Sequence, residues 1–348
     1  MLKCAFALSD QGAKDLAKGI IATACANLIQ IIPASLLLMV VMMLLEKAAG
    51  THVNVGRNIP VFVGITLVLF GMIAITQLVQ YNLTYTAAYK ESANRRIVLA
   101  EKLRKLPLSF FEKKNLADLT TTIMGDCTAL ERTFSNAIPQ LLGTILMFVI
   151  TSVGLAVLEW RLALCIIVPV PVASIVVVLA RKAQSKAELE NLEAKRCAYD
   201  AVQEYVDTIK ELKAYSKTNV YLDELDKKLE NVIRCSFRNE LAPGASTTAA
   251  QFILRFGLVA VLLIGGKLVI EGTLSIPMLI LFLLFAGRIY DPFTNCFMLL
   301  AEVFAALVSI GRMKQIDNTQ EQTGSDCYNN IGYDIEFKDV HFSYNEEP

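Results

Sequence analysis

Long apolar runs alternate with polar stretches along the chain. Residues 28–45 and 258–270 are nearly free of charge, and a helix needs roughly 20 such residues to cross a hydrocarbon core of about 30 Å. Six runs qualify; they cover residues 19–45, 138–158, 162–179 and 249–270 and begin at residues 59 and 276. The pattern predicts an all-α polytopic membrane protein with six transmembrane helices.

Polar helical sequence continues these spans beyond one face of the membrane. The second runs from Ile59 to Leu106 before Pro107 stops it, which gives a helix of roughly 70 Å at about 1.5 Å per residue. Polar helix also precedes the third span from Ala117, follows the fourth, precedes the fifth and extends the sixth to Ile316. The opposite face has short turns at 159–161 and 271–275.

The two ends of the chain differ from the spans. Residues 1–18 predict an amphipathic elbow helix lying on the membrane surface before the first span; no cleavable signal is indicated. The six-helix domain is expected over 19–316, with a polar linker over 317–333. Apolar residues then mostly alternate over 334–348, which predicts the opening strand of a cytoplasmic domain. The chain ends at Pro348, so a truncated domain is expected.

Composition and charge restrict the function further. Hydrophobic residues make up 54% of the chain, and 33 Lys+Arg balance 33 Asp+Glu, so nothing indicates nucleic-acid binding. The eight cysteines and two histidines show no metal-ligand or disulfide spacing. Basic residues concentrate in the long polar extensions, whereas the opposite loops hold only Lys47, Arg57, Arg161 and Lys267. The positive-inside rule therefore predicts cytoplasmic extensions and cytoplasmic termini.

Ionisable residues inside spans are the first candidates for a substrate pathway. Arg288 lies about 18 Å from the outer end of the sixth span, and Asp291 follows one turn later on the same face. Arg288 could line a positive cavity for an anionic substrate, pair with Asp291, or hold a carbonyl of a neighbouring helix. Arg255 in the fifth span is the next candidate and could pair with Asp291 instead.

Two further groups are weaker candidates. Pro169 and Pro171 interrupt the fourth span in VPVPVAS, and two missing donors predict a kinked or unwound segment. Such a segment could take part in substrate binding or gating. The alternative is that it is only an irregularity of helix packing. Gln77 and Gln80, followed by Tyr81 and Tyr85, are typical of interhelical hydrogen bonds more often than of ligand contacts.

Several motifs together resemble the exporter-fold ABC transporters. The segment LRKLPLSFFEKKNLADL at 103–119 resembles the first intracellular loop, with Ala117 where the family usually has Gly. MGDCTAL at 124–130, QEYVDTIKELKAYSKTN at 203–219 and GGKLVIEGTLSIP at 265–277 are similar to the following stretch, the second intracellular loop and the external turn. DIEFKDVHFSY at 334–344 resembles the start of the nucleotide-binding domain.

This resemblance implies roles for several residues. The coupling loops would present Phe110, Phe111, Glu112, Asn115, Tyr215, Lys217 and Tyr221 to ATP-driven domains; a solvated stalk without coupling is the alternative. Tyr344 would stack on adenine, in an incomplete site. ATP and Mg²⁺ are expected for the complete transporter but not for this stretch alone, because no GxxxxGK[ST] phosphate loop is present.

The resemblance also implies partners and leaves rival functions. Six spans are half of the family's translocation path, so a second half-transporter, nucleotide-binding domains and a lipid bilayer are the expected partners, with the cell membrane as location. GTLSIP and RIYDPF, the latter at 288–293, resemble the subgroup that imports metal–siderophore complexes. The alternative within the family is export of a drug, lipid or peptide. A signalling or scaffold protein that transports nothing is the rival from another class.

Overall fold

The computed structural model describes residues 10–48, 55–113, 116–216, 218–322 and 339–340. Every regular element in these ranges is helical. The helices are α1 (Asp10–Ile29), α2 (Ile32–Ala48), α3 (Val55–Tyr81), α4 (Ala87–Arg104), α5 (Leu108–Lys113), α6 (Leu116–Thr121), α7 (Cys127–Arg132), α8 (Ile138–Leu158), α9 (Trp160–Ile167), α10 (Pro169–Asp207), α11 (Ile209–Ala214), α12 (Thr218–Ile270) and α13 (Ile276–Asn318). Single π-helical turns at Asn82–Thr86, Thr122–Asp126 and Thr133–Ala137 join the neighbouring helices.

Within the described residues, six helical segments are long and apolar enough to cross a membrane. They are Gln11–Met43, Pro60–Arg104, Leu119–Leu158, Trp160–Asp207, Tyr221–Ile270 and Ile276–Asn318. The predicted all-α fold with six spans is therefore confirmed. The turn after α8 also falls where the sequence indicates it, since Glu159 alone leaves the helical conformation, with φ −156° and ψ 101°.

The N-terminal region differs from the expectation in one respect. The boundary expected between residues 18 and 19 lies inside α1, which runs unbroken from Asp10 to Ile29. The break comes instead at residues 30–31, just before Pro33. Proline has no N–H and its ring collides with the carbonyl four residues earlier, so a helix cannot run through unchanged. The position of residues 10–18 on a membrane surface stays a prediction.

The described chain divides into two compact units. The first comprises residues 1–22, 78–139 and 301–348, and the second comprises residues 23–77 and 140–300. The core of the second unit is formed by side chains of α8, α9, α10, α12 and α13, with the fully buried Phe282, Ile166 and Leu254 among the largest.

Helices α10 and α12 of the second unit run antiparallel and reach far beyond any bilayer. They contain 39 and 53 residues, or about 58 and 80 Å at 1.5 Å per residue. Hydrogen bonds join Gln184 to Ser246, Asn191 to Ser236, and Ala201 to Tyr221. The face of α10 that packs on α12 is made of small buried residues, Ala187, Ala194, Ala198 and Ala201. Small side chains allow the two helices to approach closely.

The first unit is held together by polar contacts between α4, the Thr122–Asp126 turn, α7 and α13. Asp126 is buried and accepts a hydrogen bond from Ser309 Oγ at 2.8 Å. Arg312 donates to both carboxylate oxygens of Asp126, with Nε at 2.8 Å from Oδ2. This geometry is the bidentate fork of an arginine–carboxylate pair.

The C-terminal end of α13 lies against α4 of the same unit. Arg95 pairs with Asp317, and Lys102 Nζ lies 3.1 Å from Glu321 Oε1. The backbone N–H of Gln322 donates to the carbonyl of Lys105 at 2.8 Å. The start of the predicted linker is therefore fixed to α4 through residue 322. Apart from Asp339 and Val340, the residues of the predicted strand lie outside the described residues, as does Tyr344.

Candidate substrate pathway and coupling loops

A cavity of about 430 Å³ opens between α12 and α13 in the second unit. Gln251, Leu254 and Arg255 of α12 and Tyr290, Asp291, Thr294 and Asn295 of α13 line it. The cavity therefore brings together two residues that the sequence singled out, Arg255 and Asp291. It lies in the size range of small-ligand sites, roughly 300–1,000 Å³.

Arg288 lies apart from this cavity. Its side chain is exposed, and within the described residues no ion pair or hydrogen bond joins it to Asp291 or to a neighbouring carbonyl. Arg255 and Asp291 share the cavity, yet they do not form an ion pair in the described part of the chain either. Of the alternatives open for Arg288, this structure contains neither the intrahelical pair nor the carbonyl contact.

Tyr290 connects the cavity to the proline segment of the fourth span. It is 5% exposed and its hydroxyl donates to the carbonyl of Ile166 at 3.2 Å. Gly257 of α12 lies against it: a Cβ at this position would overlap the Tyr290 hydroxyl and lie 2.9 Å from Cγ of Pro169. Three helices meet here because residue 257 has no side chain.

The proline segment is not unwound, contrary to that part of the expectation. Val168 ends α9 and begins α10 with helical dihedrals, φ −62° and ψ −39°, and its N–H still donates to the carbonyl of Leu164 at 3.0 Å. Pro169 and Pro171 occupy the first turn of α10. Backbone N–H groups in a first turn have no partner in their own helix, so proline is tolerated there.

The polar residues after the second span show no common site. Gln77 and Gln80 are both half-buried, and the carbonyl of Gln80 accepts from Thr84 Oγ1 at 2.9 Å. Tyr81 and Tyr85 stack with ring centroids 4.5 Å apart, and Tyr85 lies 6.4 Å from Tyr89. These tyrosines form a ladder along one helix face.

The first predicted coupling loop ends in a pair of aromatic rings. Phe110 and Phe111 of α5 contact each other edge to face, with centroids 5.6 Å apart and planes at 88°. Glu112 lies in the same helix, α5 (Leu108–Lys113). Asn115 lies outside the described residues. Phe111 is 37% exposed and Leu108 is 76% exposed, so the tip presents apolar surface.

The second predicted coupling loop contains one anchored and one exposed tyrosine. Tyr221 stacks on Tyr205 with centroids 5.5 Å apart, and its hydroxyl donates to the carbonyl of Ala201 at 3.0 Å. Tyr215 is 78% exposed, and the next residue, Ser216, has a positive φ of 54° that turns the chain. Lys217 lies outside the described residues. Tyr221 therefore stabilises the helix pair, whereas Tyr215 is available for contact.

Sequence reasoning missed the carboxylate of Glu302 in α13. Its Oε2 atom is buried and, within the described residues, has no hydrogen-bond partner. The signal was a single acidic residue in the apolar run LLAEVFAAL, and such residues mark functional positions in membrane helices. Among the described residues no group of three His, Cys, Asp or Glu side chains could hold a metal ion.

Glu321 provides a pH-sensitive contact at the start of the linker. The hydrogen bond from Lys102, with the charges of Lys102 and Lys105, lowers the pKa of Glu321 below its ordinary value of 4.5. Because the pKa of Glu321 is lowered in the folded protein, the contact stabilises the fold at pH values above the ordinary pKa, and this contribution is lost as the pH falls through the pKa of the folded state.

We expect Glu321→Gln to reduce hydrogen-exchange protection of the Gln322 amide at pH 7, after correction for intrinsic rates. The difference from wild type should disappear well below pH 4.5; equal protection at pH 7 would contradict it.

The chain is similar to transport proteins over most of its length. Residues 16–293 match the family described as the ABC transporter transmembrane region. ABC transporter B family member 1 of Dictyostelium discoideum is 22% identical over 286 residues, covering 81% of this chain and 31% of the relative. The lactococcin-G-processing and transport ATP-binding protein of Lactococcus lactis is 24% identical over 244 residues, 69% of this chain and 35% of the relative.

A third relative is the ATP-dependent lipid A-core flippase of Desulfotalea psychrophila, 22% identical over 263 residues, 72% of this chain and 45% of the relative. The aligned part of this chain thus spans less than half the length of each of these three relatives. The family match covers residues 16–43 of the first span, the next four spans and residues 276–293 of the sixth, and it agrees with their all-helical arrangement. The chain is a multi-pass membrane protein that belongs to the ABC transporter transmembrane family, with its exporter-type fold.

Proposed function

We propose that this chain is the transmembrane part of an ATP-driven transporter that moves its substrate by alternating access. The observation that carries the proposal is the antiparallel pair of α10 and α12, which ends in an exposed aromatic tip at Tyr215. Helices that reach tens of ångströms beyond a bilayer of about 30 Å act as levers when a moving domain holds their tips. Names of relatives support transport, since one is a flippase and another a transport protein.

The proposal includes partners and a motor. A second half-transporter would complete the translocation path, as a homodimer or heterodimer, and nucleotide-binding domains would bind ATP and Mg²⁺ with Tyr344 against the adenine. The coupling loops would then lie in the cytoplasm, together with both termini, in agreement with their basic residues. Attachment of residues 317–322 to α4 gives such a domain a second mechanical connection to the helices.

Transport in proteoliposomes tests the proposal. We expect ATP-dependent accumulation of substrate when the transporter, assembled with its nucleotide-binding domains, is reconstituted, and no accumulation with a non-hydrolysable analogue. Absence of ATP-dependent movement of every solute tested would contradict it and favour the signalling or scaffold protein.

Uptake of metal–siderophore complexes is a second candidate function. The exposure of Arg288 deep in the sixth span favours it, because a cation there suits an anionic cargo and is unfavourable in lipid. The direction of transport decides between uptake and export. Accumulation of substrate on the cytoplasmic side supports uptake, and accumulation on the opposite side excludes it.

Tyr215→Ala tests the coupling role of the second loop. Aromatic anchors in interfaces contribute about 2 kcal/mol or more, so we expect docking of the nucleotide-binding domain to weaken roughly 30-fold and ATP-driven transport to fall accordingly. Thermal stability should not change, since Tyr215 is 78% exposed. The matched control is Tyr199→Ala, which removes a ring 71% exposed on α10 away from the tip. Unchanged transport in Tyr215→Ala would argue for a solvated stalk, and equal loss in both variants would contradict a role specific to the tip.

A further inference from the structure

Two opposite charges share one cavity in the second unit without neutralising each other. Arg255 of α12 and Asp291 of α13 both line it, both side chains are exposed, and no ion pair joins them in the described residues. A cation and an anion that face the same space but do not pair leave two separate charged binding positions. Each can accept a group of opposite charge from one ligand.

Both charges lie deep between the ends of their helices. Arg255 precedes the end of α12 at Ile270 by 15 residues, and Asp291 follows the start of α13 at Ile276 by 15 residues. At 1.5 Å per residue, each lies about 22 Å from the turn that joins the helices. This depth is past the middle of a hydrocarbon core of about 30 Å. Exposed charges at that level face protein or water rather than lipid.

The rest of the lining supplies neutral hydrogen-bonding groups. Gln251 and Asn295 contribute amides, and Thr294 contributes a hydroxyl whose proton goes to the carbonyl of Tyr290 at 3.4 Å. A side-chain amide has both donors and an acceptor, so it can pair with the N–H and C=O of a peptide bond. Of the seven lining residues, only Leu254 and Tyr290 are mainly apolar.

We infer that the cavity binds a zwitterionic, peptide-like solute, with its carboxylate at Arg255, its ammonium group at Asp291 and its amide groups at Gln251 and Asn295. The inference rests on the proposed transport function and names the substrate class of the same protein. A polyanion would meet Asp291 unfavourably, and an apolar solute would leave both charges without partners. The volume of about 430 Å³ is at the small end of ligand sites, which fits a short peptide.

Competition binding to the reconstituted transporter tests the substrate class. The probe is a radiolabelled pool of random di- and tripeptides with free termini, and the competitors are the same pool N-acetylated, C-amidated or blocked at both ends. We expect each single block to weaken competition at least about tenfold, the loss of one charge-assisted contact. Equal competition by free and doubly blocked peptides overturns the inference.

Substitutions then assign each charge to one end of the peptide. With Arg255→Gln, free and C-amidated peptides should compete equally well, because the partner of the carboxylate is gone. Free peptides should still compete better than N-acetylated ones. Asp291→Asn should do the reverse. Both side chains are exposed, so both variants are expected to fold. Arg234→Gln is the matched control, because Arg234 is exposed on α12, the helix of Arg255, but does not line the cavity; loss of either discrimination in this control overturns the assignment.

Other ligands give separable outcomes. Competition by phosphatidylethanolamine vesicles, absent with vesicles of uncharged glycolipid, assigns the charges to a lipid headgroup and overturns the peptide. Tighter binding of a ferric siderophore complex than of the peptide pool also overturns it. Charge-specific peptide binding without any ATP-driven transport supports the inference and contradicts the proposed function. ATP-driven transport without discrimination between free and blocked peptides supports the proposed function and contradicts the inference.

Discussion

Replacement of Arg312 by glutamine is expected to destabilise the first unit by about 2 kcal/mol, the order of cost of leaving a buried charged acceptor without its main donor. Asp126, the partner of Arg312, has a side chain only 5% exposed. Without the guanidinium, the buried carboxylate keeps the hydrogen bond from Ser309 but loses its counter-charge. Denaturant unfolding of the purified protein in detergent micelles, followed by circular dichroism, measures the effect.

The reverse substitution provides the control. Asp126→Asn leaves Arg312 without its partner carboxylate, but the arginine side chain is 48% exposed and water can solvate it. We therefore expect a smaller loss, about 1 kcal/mol. The double variant should be more stable than the sum of the two losses predicts, because it leaves no charge buried alone. Strict additivity, or a larger loss for Asp126→Asn, would contradict a buried counter-ion role for Arg312.

Gly257→Ala is expected to destabilise the second unit by about 2 kcal/mol, the order of cost for overpacking a tight contact. The new methyl group would occupy the position of the Tyr290 hydroxyl, so the ring must move and its hydrogen bond to the Ile166 carbonyl is lost. Because Tyr290 also lines the cavity of Arg255 and Asp291, peptide binding should weaken as well. Thermal unfolding and the competition assay check the two effects.

Two variants make this prediction specific. Gly266→Ala places the same methyl group on the same helix where nothing lies within 4 Å, and stability should change by no more than about 0.5 kcal/mol. Tyr290→Phe removes the oxygen that blocks the methyl group, so Gly257→Ala should cost less in that background than in wild type. A loss in Gly266→Ala as large as in Gly257→Ala would point to a general effect of helix glycines.

The spans and their extensions could be predicted because they depend on local sequence. A helix in lipid must form all its backbone hydrogen bonds internally and expose apolar side chains. Apolar runs such as 138–158 are therefore recognisable as spans from the sequence. Proline acts on its own helix, and Pro33 accordingly interrupts the first span. At Pro169 and Pro171 the interruption of the fourth span falls where the sequence indicates it, but the expected alternative of an unwound segment was wrong, because a proline in a first turn is compatible with helical dihedrals. Composition shows that the prolines are present but not where a helix restarts.

The candidate site could be predicted only in part. Arg255, Arg288 and Asp291 were recognised from the free energy of placing charge in a membrane span, but which of them share a cavity depends on the rotation of α12 against α13. Glu302 was missed although its apolar surroundings are visible in the sequence. The roles of these residues, and of Tyr215 and Phe110, stay predictions for transport measurements.

The sequence by itself determined that this protein is helical, crosses the membrane six times and extends long helices beyond one face, because hydrophobic length and helical periodicity are properties of neighbouring residues. Only the tertiary structure decided that Arg312 binds Asp126, that Gly257 makes room for Tyr290, and that Arg255 and Asp291 line one cavity. Those pairs lie 186, 33 and 36 residues apart in the chain, by subtraction of their numbers. Contacts at such distances depend on how helices pack, which a local pattern does not specify.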